Sequence, residues 1–428
     1  MNKTLKIGLG VFVGLILLAG AFSGGFLTGH FVGLPGGATE IPVAVSTPDA
    51  TQQSATPAEL QTLFQPFWEA WNLVHESYVD QPVDDVALMR GAINGMLEVL
   101  GDPHTSYMDP DEFTQLNASL SGEYEGIGAY VDTSTEYLTV ISPIPGSPAE
   151  AAGLRSGDAI LAIDGKDMTG VDPELVRKQV LGPAGSVVTL TIKRGDDAPF
   201  DVKITRAKIV IKSAEGKMLD NGIAYVQITT FGDKTTPELI ATLETLMAQN
   251  PKGVILDLRN NGGGYLQTAI EVSSQFIPEG EVVMYERYGS GERDTYLSLE
   301  GGLATDIPMV VLINEGTASA SEIVAGALQD YGRAKLVGVL SYGKGSVQLP
   351  TMLSNDQGAV KVTIAKWLTP NERLIHGIGL TPDVFVLMTE EDYNNDRDPH
   401  LQAAIETLLA MLSGSPVPTS MPTPVPTP

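Results

Sequence analysis

Four short apolar runs, at residues 223–228, 253–258, 309–313 and 335–339, constrain this chain most. Each has the length of a strand, and the stretches 236–248, 265–276 and 322–331 between them repeat apolar residues with a helical period. Strands alternating with helices imply an α/β core. Upstream, residues 122–206 carry short β-branched runs (137–142 and 187–193) broken by Gly, Pro and Asp turns, with one short helix near 173–180, which reads as a compact, mainly β module. Earlier still, Leu60, Leu63, Phe64, Phe67, Trp68, Trp71 and Val74 make a helical stripe within 57–79, and 86–100 makes a second. The chain of 428 residues is therefore expected to be a mixed α/β multidomain protein. Its expected parts are a helical region (58–121), the β module (122–207), the α/β core (208–390) and a helical segment (391–412).

The ends are different. Lys3 and Lys6 precede a run at 7–32 with no Asp, Glu, Lys or Arg, longer than the ~20 residues needed to span a bilayer. This predicts an exported protein on the extracytoplasmic face of the cell membrane, held by a single-pass anchor over 1–33. Ala19-Gly20-Ala21 offers the alternative of a cleaved signal, but the apolar residues continue beyond it. Residues 34–57 form a Pro/Gly/Thr/Ala-rich linker, and 413–428 hold six prolines and no charge, so neither can build a core.

Composition narrows the chemistry. Without cysteine there is no thiol nucleophile, disulfide or Cys-ligated metal, so a nucleophile must be Ser, Thr, Lys or a carboxylate. Five histidines show no paired metal spacing, and no metal or cofactor is implied. A net charge of −26 argues against nucleic acid as a partner.

Two segments of the core carry chemistry. The strand at 309–313 runs through Thr317-Ala318-Ser319-Ala320-Ser321-Glu322 into a helix, which puts Ser319 where free N–H groups and the positive end of the helix dipole stabilise an alkoxide or oxyanion. Ser319-x-x-Glu322 is equally a capping box. The strand at 335–339 leads into Gly343-Lys344-Gly345-Ser346-Val347-Gln348. Glycines on both sides allow close backbone approach, and the uncharged local sequence would desolvate the Lys344 amine and lower its pKa. Gln348 could hold that amine. Gly338-x-x-x-x-Gly343-Lys344 matches a phosphate-binding loop up to the lysine, but Gly345 displaces the required Ser or Thr and a strand follows where a helix belongs.

These segments resemble the carboxyl-terminal processing (tail-specific) serine proteases. The nucleophile segment from Thr317 to Asp330 and the base segment around Lys344, 25 residues after Ser319, are joined by Gly101-Asp102-Pro103-His104-Thr105-Ser106-Tyr107, by Asp257-Leu258-Arg259-Asn260-Asn261-Gly262-Gly263-Gly264 and by Ile375-His376-Gly377-Ile378-Gly379-Leu380-Thr381-Pro382-Asp383. The β module is similar to a PDZ domain through Ser147-Pro148-Ala149-Glu150 and Gly157-Asp158, with Gly126, Ile127, Gly128 and Ala129 in place of the carboxylate-binding loop. The resemblance implies a serine endopeptidase in which Ser319 attacks, Lys344 is the base and Gln348 orients it. It further implies an oxyanion hole of backbone N–H groups from Ala320 and from Gly263 or Gly264. Polypeptides with free apolar C-termini are then the expected substrates, the membrane is a partner through the N-terminal segment, and a homo-oligomer or an activator protein stays open. Two other readings stand beside it: a silent PDZ scaffold, if Lys344 is solvated, and a Ser-His hydrolase using His104 or His376.

Overall fold

The computed structural model of the chain describes residues 58–417, apart from Asp196, Glu390, Tyr393, Asn394 and Asp396. The expected anchor, the linker and the tail beyond 417 lie outside the described residues. Among the described residues no helix is long and apolar enough to cross a membrane. The chain divides into two compact units, Met1–Val83 and Asp84–Pro428. In the first, helices α1 (Ala58–Leu63) and α2 (Gln65–Ser77) carry the aromatic stripe, with Phe67 edge-on to Trp68 and Trp71 stacked on His75.

The second unit begins with α3 (Asp85–Glu98), whose first turn is capped by the Asp84 carboxylate, then β1 (Ser106–Met108) and α4 (Pro110–Ser121), started by a capping box between Asp109 and Glu112. The β module follows. Its first strand, β2 (Glu123–Gly126), pairs antiparallel with its last, β9 (Ala207–Val210). Between them β3 (Ala129–Asp132), β4 (Thr139–Pro143), β5 (Ala159–Ile163), β7 (Val187–Lys193) and β8 (Phe200–Thr205) form a sheet in that order, with the short β6 (Lys166–Asp167) on β5. Helices α5 (Pro148–Ala151) and α6 (Pro173–Val180) complete it. In β7 the buried residues Val188, Leu190 and Ile192 alternate with outward ones, the period-two pattern of a half-buried strand.

The core sheet has the order β10 (Ala214–Met218), β11 (Ala224–Ile228), β12 (Val254–Asp257), β15 (Met309–Ile313), β16 (Ala334–Gly338), β19 (Val384–Phe385). From β11 to β19 all pairs are parallel. Parallel strands are apolar on both faces because both are covered. Met309, Val311 and Ile313 join one core cluster with residues of α7 (Thr235–Met247), α8 (Leu266–Ser274) and α9 (Ala320–Asp330), while Val310 and Leu312 join another with Ala404 and Leu408 of α10 (Pro399–Ser413).

A second, antiparallel sheet has β18 (Ala359–Leu368) at its centre, paired with β1, with β13 (Val282–Tyr288) and with β17 (Ser346–Met352); β14 (Arg293–Leu297) lies beyond β13. The sequence reading contained β17 but not this sheet. It matters because Lys344 enters it directly.

Candidate active site

The site lies beyond the carboxyl ends of the parallel strands, where open α/β sheets place ligands. After β15 the chain turns into α9 with Ser319 as N-cap at φ 57° and ψ −117°. A non-glycine residue at positive φ is strained and persists only when its surroundings over-determine it. Here the Thr317 hydroxyl donates to the Leu258 carbonyl (2.9 Å), and Ala318 N–H and the Ser321 hydroxyl both donate to the Asn261 carbonyl (2.9 and 2.8 Å). Gly263 presses on the same turn: a Cβ there would lie 2.8 Å from Ala318 O, Ala320 N and Ser319 Cβ. Ser319 and Glu322 stand in capping-box positions. Their bonds run from Ser319 N–H to Glu322 Oε2 and from Glu322 N–H to the Ser319 carbonyl, both 2.9 Å, and Ser319 makes no side-chain cap hydrogen bond.

Glu322, fully buried, also reaches the lysine loop. Its Oε1 accepts the Ser341 hydroxyl (2.5 Å) and Gly343 N–H (2.7 Å), and its Oε2 accepts Lys344 N–H (2.9 Å). Burial pushes the Glu322 carboxyl up, opposed by these donors. Burial likewise lowers the pKa of the Lys344 amine, helped by the charge of Lys361 and opposed by Glu322. The glycines flanking Lys344 are needed for packing: a Cβ on Gly343 would sit 2.9 Å from Gly379 N, and one on Gly345 2.6 Å from His376 N. Lys344 itself is half-buried, which disfavours the silent-scaffold reading.

Ser319, Ala320, Gly262, Gly263, Gly264, Lys344, Gln348 and Lys361 line one cavity of about 410 Å³. Among the described residues no hydrogen bond joins the Ser319 hydroxyl to the Lys344 amine, or Gln348 to Lys344. The Gln348 amide instead donates to the hydroxyls of Ser346 (2.8 Å) and Thr363 (3.1 Å), next to a register shift between Val347 and Gln348. Gly263 N–H donates to the Asn261 side chain (2.9 Å), whereas Ala320 N–H and Gly264 N–H have no hydrogen bond among the described residues. His104 and His376 pack ring to ring, 5.7 Å between centroids, and neither lines this cavity.

A second cavity, about 690 Å³ and mostly apolar, lies beside the loop of the β module. Ile127 and Val131 line it, together with Ala129, Leu138 and Val180. Gly128, at φ 80°, passes so near Ser147 that a Cβ would approach its Cβ to 2.4 Å, so this glycine is required by the turn as well as available to a ligand. Leu116 of α4 and Thr230 line both cavities.

The sequence reading missed Glu322 as more than a cap, and missed Lys361, Thr363 and Asn261. Lys361 and Thr363 lie on β18, a strand that the sequence analysis did not identify, and only the fold brings Lys361 to the cavity and Thr363 to Gln348. Arg259, which the sequence left undecided, bonds Asp257 (2.6 Å) and the α10 N-cap Asp398 (2.8 Å), fastening the last helix to the loop that carries the glycines.

Residues 222–386 match peptidase family S41, residues 139–194 a PDZ domain, and residues 28–112 the N-terminal domain of the activating protease CtpB. The carboxy-terminal-processing protease of Bartonella bacilliformis is 41% identical over 325 residues, 75% of this chain and 74% of the relative. The carboxy-terminal processing protease CtpA of Bacillus subtilis is 36% identical over 334 residues, 78% of this chain and 70% of the relative. A solved structure assigned to the S41 proteases, from Bacteroides fragilis, aligns over 81% of this chain and 97% of that one, with TM-score 0.52 and 19% identity, and shares the fold.

Proposed function

This chain belongs to peptidase family S41, the carboxyl-terminal processing serine proteases with a PDZ domain, and on that premise we propose that it cleaves polypeptides with a Ser319/Lys344 pair. The observation that carries this is the strained turn of Ser319 at the start of α9, on one cavity with a half-buried lysine whose pKa is lowered. Neutral Lys344 takes the proton of the Ser319 hydroxyl as Oγ attacks the scissile carbonyl, passes it to the leaving amine as the C–N bond breaks, and, neutral again, takes one from the water that attacks the acyl ester and returns it to Ser319 Oγ as the acid product leaves. The oxyanion meets Ala320 N–H at the helix start together with an N–H of Gly263 or Gly264; the unpaired state of the Gly264 N–H favours it in the resting arrangement. Gln348 lines the same cavity and orients the amine through its amide oxygen once substrate closes the gap, since catalytic hydrogen bonds are often long before substrate binds.

The loop Gly126, Ile127, Gly128 and Ala129 takes the terminal carboxylate of the substrate, and the adjoining apolar cavity takes its last side chain. Leu116 and Thr230, shared by the two cavities, support a path from chain-end recognition to cleavage. The uncharged run 7–32 supports export and attachment to the extracytoplasmic face of the cell membrane.

The full-length chain, given an unfolded protein with an apolar C-terminus, tests this. Ser319→Ala and Lys344→Ala should each lower kcat by ~10⁴-fold or more while the fold is kept. His104→Ala combined with His376→Ala should leave measurable turnover, because neither ring lines the cavity. A Lys344→Ala chain within about tenfold of wild type would overturn the assignment.

A further inference from the structure

Glu322 presents the site with an electrostatic problem. It must be ionised to accept four donors, yet a buried carboxylate beside the Lys344 amine favours the ammonium, the form that cannot act as a base. An opposing cation would resolve it, and β18 carries one. Lys361 pairs with Ser106 on one side and Pro350 on the other. Thr363, two residues on and therefore on the same face of the strand, accepts the Gln348 amide. That face looks onto the catalytic cavity, which Lys361 lines together with Ser319, Lys344 and Gln348. The charged residues lining the cavity are these two lysines, in a protein of net charge −26, and among the described residues Lys361 forms no ion pair.

We propose that Lys361 is a positioning residue of the active site, a second ammonium that offsets Glu322 and keeps the Lys344 amine neutral. This rests on the Ser319/Lys344 reading above. The groups around Lys344 are Glu322 from α9, Lys361 from β18, and His104 and His376 from the segments before β1 and before β19. Asp102, next to His104, is held at about 2: burial opposes ionisation, but bonds from Thr363, His104 N–H and Thr105 prevail. The pKa of His104 is lowered, by burial first and by Lys344 next, so its ring is neutral at pH 7 and leaves Lys361 as the opposing charge.

The test follows the pH dependence of Ser319 acylation by a fluorophosphonate probe, and of kcat/KM, in the full-length chain. In Lys361→Met and Lys361→Gln the acid limb should move up by about half to one pH unit. About one unit below the wild-type midpoint this is a loss of roughly 3- to 10-fold, vanishing well above the midpoint. Lys361→Arg keeps the charge and should keep the wild-type midpoint. An unmoved midpoint in both neutral variants, an equal loss at every pH, or an arginine variant that shifts like methionine would overturn the proposal. Wild-type activity in Lys344→Ala would instead overturn the Ser/Lys reading itself, which separates the two failures.

Discussion

Ser319 and Lys344 hang from one atom: Oε2 of Glu322 accepts the backbone N–H of each at 2.9 Å. Two loops from different parallel strands are thereby fixed against each other, and the relation is independent of substrate. In the proposed mechanism the two reacting groups stand 25 residues apart in sequence and need such a brace, because small errors of placement are expensive in rate.

Replacing Glu322 by Gln tests the brace. The amide keeps one acceptor oxygen and turns an NH₂ toward N–H donors, leaving two of them unpaired in a buried site. A fall in kcat of ~10²-fold or more is expected, with little change in KM and a lower melting temperature. A kcat within about threefold of wild type would mean that the shared oxygen does not set the geometry.

Lys344 should cost the fold stability in return for function. Its pKa in the folded chain lies below 10.5, so between the two values the unfolded chain binds more protons and stability rises with pH. Lys344→Met removes that penalty. The variant should be inactive yet melt higher than wild type, with the gain larger at pH 6 than at pH 10. In the wild type, kcat/KM should climb through the lowered pKa and fall steeply in acid; a profile flat from pH 5 to pH 9 would remove Lys344 as the base.

Much of this site was legible because its chemistry sits in short segments: a serine between strand and helix, a lysine between glycines. Strands β15 and β7 and helix α6 also fall where the apolar periods put them. What was not legible is what the fold brings together from a distance. Glu322 satisfied a local rule, the capping box, and that rule hid its bonds to Ser341, Gly343 and Lys344, some 20 residues on. Lys361 carried no signal, because alternation within a strand fixes which residues share a face and not what covers that face. The uncharged sequence around Lys344 suggested neutral surroundings, whereas the buried carboxylate of Glu322 from α9 and the ammonium of Lys361 from β18 act on its amine in opposite directions.

Gly263 carries a steric prediction. Any Cβ there meets Ala318 O, Ala320 N and Ser319 Cβ at 2.8 Å, and the glycine's own φ of 98° adds strain. Gly263→Ala should lose ~10²-fold or more in kcat, since relief requires moving the helix start that bears the oxyanion donor. Gly262→Ala, where a Cβ meets nothing within 4 Å, should stay near wild type. Equal effects at the two positions would show that the close approach of Gly263 to Ser319 is not required.

The chain-end prediction concerns the other cavity. Its walls, Ile127, Ala129, Val131, Leu138 and Val180, are apolar, and the loop at its edge carries N–H groups suited to a carboxylate. Substrates ending in a free apolar residue should therefore be cut faster than their amides by about 10- to 100-fold, the worth of charge-assisted hydrogen bonds of ~1.5–3 kcal/mol. A terminal Asp should also slow cleavage, by burying a second charge among these side chains. Val131→Asp should weaken the preference for an apolar end while leaving Ser319 reactive toward the fluorophosphonate probe, which separates recognition from chemistry. Equal rates for free and amidated peptides would leave the serine peptidase in place and remove chain-end reading by the PDZ domain.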